Sequence, residues 1–188
     1  MPAQTRTESP CPTLPGSLTP TTLERFNTEP AEHVERALLA CLRSLRWARR
    51  LTDHRPYPDL DSLLAAADEA AYDLTPNDLS EALAAEALPA LPDGVYSAAH
   101  MALGAAHAAY ESRFGHVFVI CVDHTSPDEA LNQVLTGIRS RLTNDPEEER
   151  VVAAEELRRL AGQRLASYVR GAGPQHSAAP PRGTTSHN

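Results

Sequence analysis

Apolar side chains recur at Val34, Leu38, Cys41, Leu42, Leu45, Ala48 and Leu51. Spacings of three and four put such residues on one face of a helix, so the pattern predicts a helix over 31–51. A second helix fits 59–73, after the turn signal RPYPD. The third opens at Thr75-Pro76-Asn77-Asp78, which offers a hydroxyl at the N-cap, proline at the first helical position and an acid three residues into the turn. It is expected to end near Ala87, where Leu88-Pro89 and Pro92-Asp93-Gly94 interrupt it. A fourth runs from Ser97 to about Arg113, with Gly115 as its stop. Ser126-Pro127-Asp128-Glu129 and Asp145-Pro146-Glu147-Glu148 repeat the cap, proline and acid arrangement and open helices over about 127–143 and 146–169. Between the fourth and fifth helices lies HVFVICV, residues 116–122, an apolar β-branched run that reads as extended. The fold class is therefore all-α: a single domain of about six helices with one short extended segment.

Composition narrows this picture. Residues 1–20 and 171–188 are rich in Pro, Gly, Ser and Thr with little to bury, and are expected to be disordered tails around a helical domain over 21–170. The net charge of −8 argues against a general phosphate-backbone binder, so nucleic acid is not an expected partner. All 17 basic residues are arginine, which carries no functional reading by itself. Cys11, Cys41 and Cys121 are odd in number and far apart, forming neither a disulfide framework nor a CxxC metal site. Cys41 sits on the apolar stripe and reads as core. A polar, proline-rich beginning and the lack of any apolar run near ~20 residues lead to the expectation of a cytoplasmic protein with no membrane contact.

The chain contains no P-loop, dinucleotide fingerprint, HExxH or GxSxG. His100 and His107 share a face of the fourth helix but stand roughly 10 Å apart along it, too far to share one metal ion easily. His107 and Glu111, four residues apart, read as a surface pair in preference to a chelate. Arg164 lies on or beside the apolar stripe formed by Leu157, Leu160, Ala161, Leu165 and Tyr168. Its stem along the core with its head in water is one reading, and a guanidinium aimed into a pocket to hold a carboxylate is the other.

Several stretches together resemble the 2-oxo-4-hydroxy-4-carboxy-5-ureidoimidazoline (OHCU) decarboxylase family of urate breakdown. They are FNTEP at 26–30, RW at 46–47, RPYPDLDSLLAAAD at 55–68, LTPNDLSEALAA at 74–85, AAYESRFGHVFVIC at 108–121, RSRLTNDPEEERVVAAEELRRL at 139–160 and QRL at 163–165. The resemblance spans about residues 26–169 in order. It implies an all-helical, usually dimeric domain that acts on a small ureido or hydroxy acid and decarboxylates OHCU to (S)-allantoin, with no metal and no cofactor.

By position, the resemblance implies that Arg164 is a substrate-site arginine and that the backbone of Phe118, Val119, Ile120, Cys121 and Val122 contacts the ring and ureido groups. Two family elements are missing. Where the family has His-Pro after LAA, this chain has Glu86-Ala87; where it has Ser-x-x-Glu-Gln, this chain has Ser97-Ala-Ala-His100-Met101 after a loop shorter by about a dozen residues. His107 also stands where the family commonly has Asn. One reading is that Glu86 and His100 preserve an acid and an imidazole with exchanged roles. A helix end disfavours carboxylate charge and a helix start disfavours imidazolium, directions that suit Glu86 as general acid. The enzyme reading predicts a concave polar pocket between the third, fourth and sixth predicted helices. The competing reading is a catalytically altered or inactive family member acting as a ligand-binding or interaction module.

Overall fold

The computed structural model describes residues 22–86, 97–122 and 127–171, and the expected tails, Gly171 apart, lie outside them. Among the described residues the chain forms eight helices: α1 (Thr22–Thr28), α2 (Ala31–Cys41), α3 (Leu45–Asp53), α4 (Leu60–Tyr72), α5 (Pro76–Ala84), α6 (Ser97–Phe114), α7 (Pro127–Arg141) and α8 (Pro146–Val169). The all-helical reading holds, with two more helices than the pattern predicts. The single helix predicted over 31–51 is two, because the chain turns at Leu42-Arg43-Ser44 and the Ser44 hydroxyl accepts the Trp47 N–H as a fresh N-cap. Unbroken apolar spacing concealed this, since neither glycine nor proline marks the turn.

Other punctuation falls where it was read. Thr75 and Asp78 close a reciprocal capping box on α5, with Pro76 at its first position. Asp145 caps α8 by accepting the Glu147 and Glu148 N–H groups. Gly115, at φ 77°, takes the left-handed conformation that ends α6. The expected Ser126 cap lies outside the described residues. The α1 segment is tied to the RPYPD turn: Asn27 and the Tyr57 backbone exchange two hydrogen bonds at 2.9 Å, and Arg55 Nη1 donates to the carbonyls of Phe26 and Glu29.

α8 packs against α1, α2 and α4, while α6 packs against α7. Two cores result. The larger gathers Phe26, Leu38, Trp47, Leu63, Leu157 and Leu165; the smaller gathers Leu103, Tyr110, Leu131, Val134 and Ile138. Residues 116–122 run between them without regular secondary structure. Val117 and Val119 pack into the larger core, and Phe118, Ile120 and Val122 into the smaller. This alternation is the period of two that an extended chain imposes. Hence the segment is a wall with two apolar faces, which explains its β-branched composition. Gly137 lets α7 lie close to it, for a Cβ there would stand 3.1 Å from the Phe118 ring and 3.2 Å from Ile120.

Candidate functional site

The site builds outward from α8. One face of this helix carries Glu149, Glu156 and Arg164, seven and eight residues apart and so within about 80° of one another around the axis. Each binds a different part of the wall or of the helices beside it.

Arg164 comes first. Its Nη1 donates to Glu86 Oε1 and its Nη2 to Glu86 Oε2, both at 2.9 Å, a two-pronged pair that joins residues far apart in sequence. Nη1 also donates to the carbonyl of Cys41 at 3.0 Å, where α2 ends. The Glu86 side chain is 6% exposed and that of Arg164 37%, so Glu86 is the more enclosed of the two. The Glu86 hydrogen bonds push the Arg164 pKa up, against the opposing effect of burial. Both Glu86 oxygens accept from the guanidinium.

The thiols of Cys41 and Cys121 lie within electrostatic range of the same guanidinium. Cys41 is buried, its Sγ donates to the Ala37 carbonyl, and burial raises its pKa to about 11 despite the nearby Arg164. It is a core thiol, as its place on the α2 stripe predicts. Cys121 is half-buried, and its backbone N–H donates to Glu156 Oε2 at 2.7 Å. Glu156 thus fixes the wall in register with α8, a role that sequence reasoning missed.

The structure joins Arg164 and Glu86 directly, with Cys121 within electrostatic range of the guanidinium. Of the remaining wall residues, Val119 faces the larger core, whereas Phe118, Ile120 and Val122 face the smaller one. His100 lies in the first turn of α6, but its side chain is outside the described residues. The expected pairing of His100 with Glu86, and one side of the expected polar pocket, fall there too.

A second arginine closes the far side of the wall. Arg141 donates from Nε to Glu149 Oε1 at 2.8 Å and from Nη1 to the Val119 carbonyl at 2.7 Å, and its guanidinium lies 4.5 Å from the centroid of the Phe118 ring. The Tyr110 hydroxyl donates to the same Glu149 oxygen, and Asn144 Nδ2 donates to the other at 2.9 Å. Burial, then the Glu149 hydrogen bond, drives the Tyr110 pKa upward. The Glu149 side chain is fully enclosed and that of Arg141 9% exposed. One signal pointed here: Glu149 occupies the same four-residue repeat as the buried Ala153, Leu157, Ala161 and Leu165.

His107 departs from expectation. In place of a surface pair with Glu111, its ring is buried beside Phe118, at 6.1 Å between centroids, and among the described residues neither ring nitrogen has a hydrogen-bond partner. Its position on α6, three residues from Tyr110, turns it toward the smaller core. Burial lowers its pKa, with Glu111 opposing. Among the described residues no three His, Cys, Asp or Glu side chains cluster as a metal site.

A cavity of about 290 Å³ lies elsewhere, between α4, the start of α5 and the first half of α8, lined by Leu42, Leu74, Leu79, Val151 and Leu157. Arg164 and Glu86 do not line it. Tyr72 and Val151 on its rim are exposed.

A family model described as OHCU decarboxylase matches residues 27–93 and 90–166. A 2-oxo-4-hydroxy-4-carboxy-5-ureidoimidazoline decarboxylase of Amia calva is 35% identical over 63 residues, which is 34% of either chain. The match thus spans about a third of that relative's length. Among solved structures, an (S)-allantoin synthase superposes with TM-score 0.64 at 22% identity, covering 79% of this chain and 54% of its own. An OHCU decarboxylase crystallised in the presence of (S)-allantoin superposes with TM-score 0.60 at 21% identity, covering 70% and 95%. These two likenesses establish the fold.

Proposed function

We propose, from the premise that this chain belongs to the OHCU decarboxylase family, that it is a carboxy-lyase of urate breakdown, converting OHCU to (S)-allantoin. The observation that carries the reading is the two-pronged pairing of Arg164 with Glu86, with Cys121 of the extended wall within electrostatic range of the guanidinium. A forked guanidinium already engaged with a carboxylate in two-pronged geometry is a site shaped for that group. The substrate's carboxylate is held there, its ring lies along the wall, and Glu86 and His100 handle the proton. Loss of CO2 sends the electron pair into the substrate's own ring C=N bond. The protein's part is to hold the anion, orient the breaking bond and deliver a proton to one face.

The same ion pair also favours the second reading. Glu86 fills the fork of Arg164, as it would in a retained scaffold whose ligand site has been closed for a binding or interaction role. Turnover separates the two. OHCU generated in place from urate, by urate oxidase and hydroxyisourate hydrolase, is followed to (S)-allantoin by circular dichroism. Acceleration above the spontaneous rate is expected, and its absence leaves the interaction module.

A cytoplasmic location and a homodimer belong to the same proposal. The buried Cys41, which forms no disulfide among the described residues, suits a reducing compartment. The exposed Tyr72 and Val151 beside the apolar cavity offer a surface for a second copy to cover. Sedimentation velocity at micromolar concentration checks the dimer. Among the described residues no helix is long and apolar enough to cross a membrane.

A further inference from the structure

Glu86 does more than neutralise Arg164. It occupies the fork with the two-oxygen geometry that an incoming carboxylate would need. Arg164 is held independently by the Cys41 carbonyl at 3.0 Å, so the guanidinium keeps an anchor when Glu86 leaves. Glu86 itself stands beyond the last helical residue of α5, Ala84, and its backbone N–H makes a 3.3 Å bond to Leu83. An element end is where a small backbone rotation can swing a side chain out at low cost. Arg164, not Glu86, is the more exposed member of the pair.

We infer that Arg164 exchanges Glu86 for the carboxylate of its ligand, and that the released Glu86 is the acid that protonates the ureido-bearing ring carbon, next to the one from which CO2 departs. The inference deepens the proposed decarboxylation and rests on it. After the exchange, two carboxylates share one guanidinium. Like charges at close range disfavour double ionisation, so Glu86 takes a proton from solvent. The bond between the carbon and the carboxylate then breaks, CO2 leaves, and its electron pair moves into the ring C=N. The hydroxyl on the carbon that lost CO2 then becomes a carbonyl, its proton passes to the ring nitrogen, and the Glu86 proton forms the new C–H bond at the neighbouring ureido-bearing carbon. The balance is one carboxylate and one proton consumed, one CO2 and one C–H formed. The product has no carboxylate to keep the fork, so ionised Glu86 reclaims Arg164 and expels it.

The test uses N-carbamoylglycine, which carries a ureido group and a carboxylate but cannot lose CO2 by this route. Its binding to the wild type, Glu86→Gln and Glu86→Ala is measured by calorimetry at pH 7 in phosphate and in Tris, two buffers of different ionisation enthalpy. Both variants are expected to bind at least about tenfold more tightly than the wild type, because nothing charged competes for the fork. Any wild-type binding is expected to take up close to one proton, which the variants do not. Equal affinity in all three proteins, no binding by either variant, or the same proton balance in wild type and variants overturns the inference. OHCU turnover is scored separately: exchange without turnover contradicts the proposed function, and turnover without exchange contradicts only this inference.

Discussion

Two arginine–glutamate pairs flank the same extended wall, and they differ in the way that separates scaffold from site. Arg141 and Glu149 are enclosed, and their polar atoms are shared among Tyr110, Asn144 and the Val119 carbonyl. Arg164 and Glu86 hold each other with, among the described residues, the Cys41 carbonyl in support, and the Arg164 side chain is partly exposed. A buried charge with every partner in place has nothing to gain by moving, whereas a pair at an opening can trade one partner for a ligand. The first pair fixes where the wall runs. The second is the pair on which the proposed decarboxylation rests.

The comparison breaks most readily at Glu149. Glu149→Ala leaves the Arg141 guanidinium enclosed and without its anion, and a loss of about 3–5 kcal/mol in urea unfolding is expected. A loss below 1 kcal/mol would mean that the pair is not what holds the wall. Tyr110→Phe removes only the hydroxyl shared by Glu149 and Arg141, so the loss falls to about 1–3 kcal/mol in the same experiment.

Next in size is a pH effect on the smaller core. His107 is buried with its pKa depressed, so below the ordinary imidazole range the unfolded chain binds a proton that the folded chain resists. Stability is full above about pH 6.5 and declines, by at most about 1.4 kcal/mol per pH unit, as pH falls toward the folded value. His107→Asn should flatten that slope in denaturation curves taken between pH 7 and 5. An unchanged slope would assign the effect to other groups. The smallest stability change is expected at Glu86→Gln, below about 1 kcal/mol, because Arg164 keeps the Cys41 carbonyl and water. A loss as large as that of Glu149→Ala would erase the distinction between the pairs.

Much of this arrangement is written locally. Thr75-Pro76-Asn77-Asp78 and Asp145-Pro146-Glu147-Glu148 specify the starts of α5 and α8 through hydrogen bonds within four residues, and both are readable without a fold. The Leu42–Ser44 break was not, since a serine cap inside an intact apolar spacing looks like one more surface position. Arg164 was legible from its place beside the α8 stripe, and Glu86 from its position after LAA. Their pairing was not, because it depends on how α5 ends over α8. Tyr110, Arg141 and Glu149 all lie in stretches that carry the family resemblance, yet only the folded chain makes them one network. Glu156 looked like one acid among many until the wall's backbone supplied its partner at Cys121.

The most direct measurement compares the rate of (S)-allantoin formation from OHCU for the wild type and for Arg164→Lys, which keeps the charge and loses the fork. Acceleration by the wild type, reduced at least about tenfold by the substitution, is the predicted result. A wild-type rate equal to the spontaneous one, or an accelerated rate indifferent to the loss of the fork, would contradict the assignment of Arg164 and Glu86 as the working site.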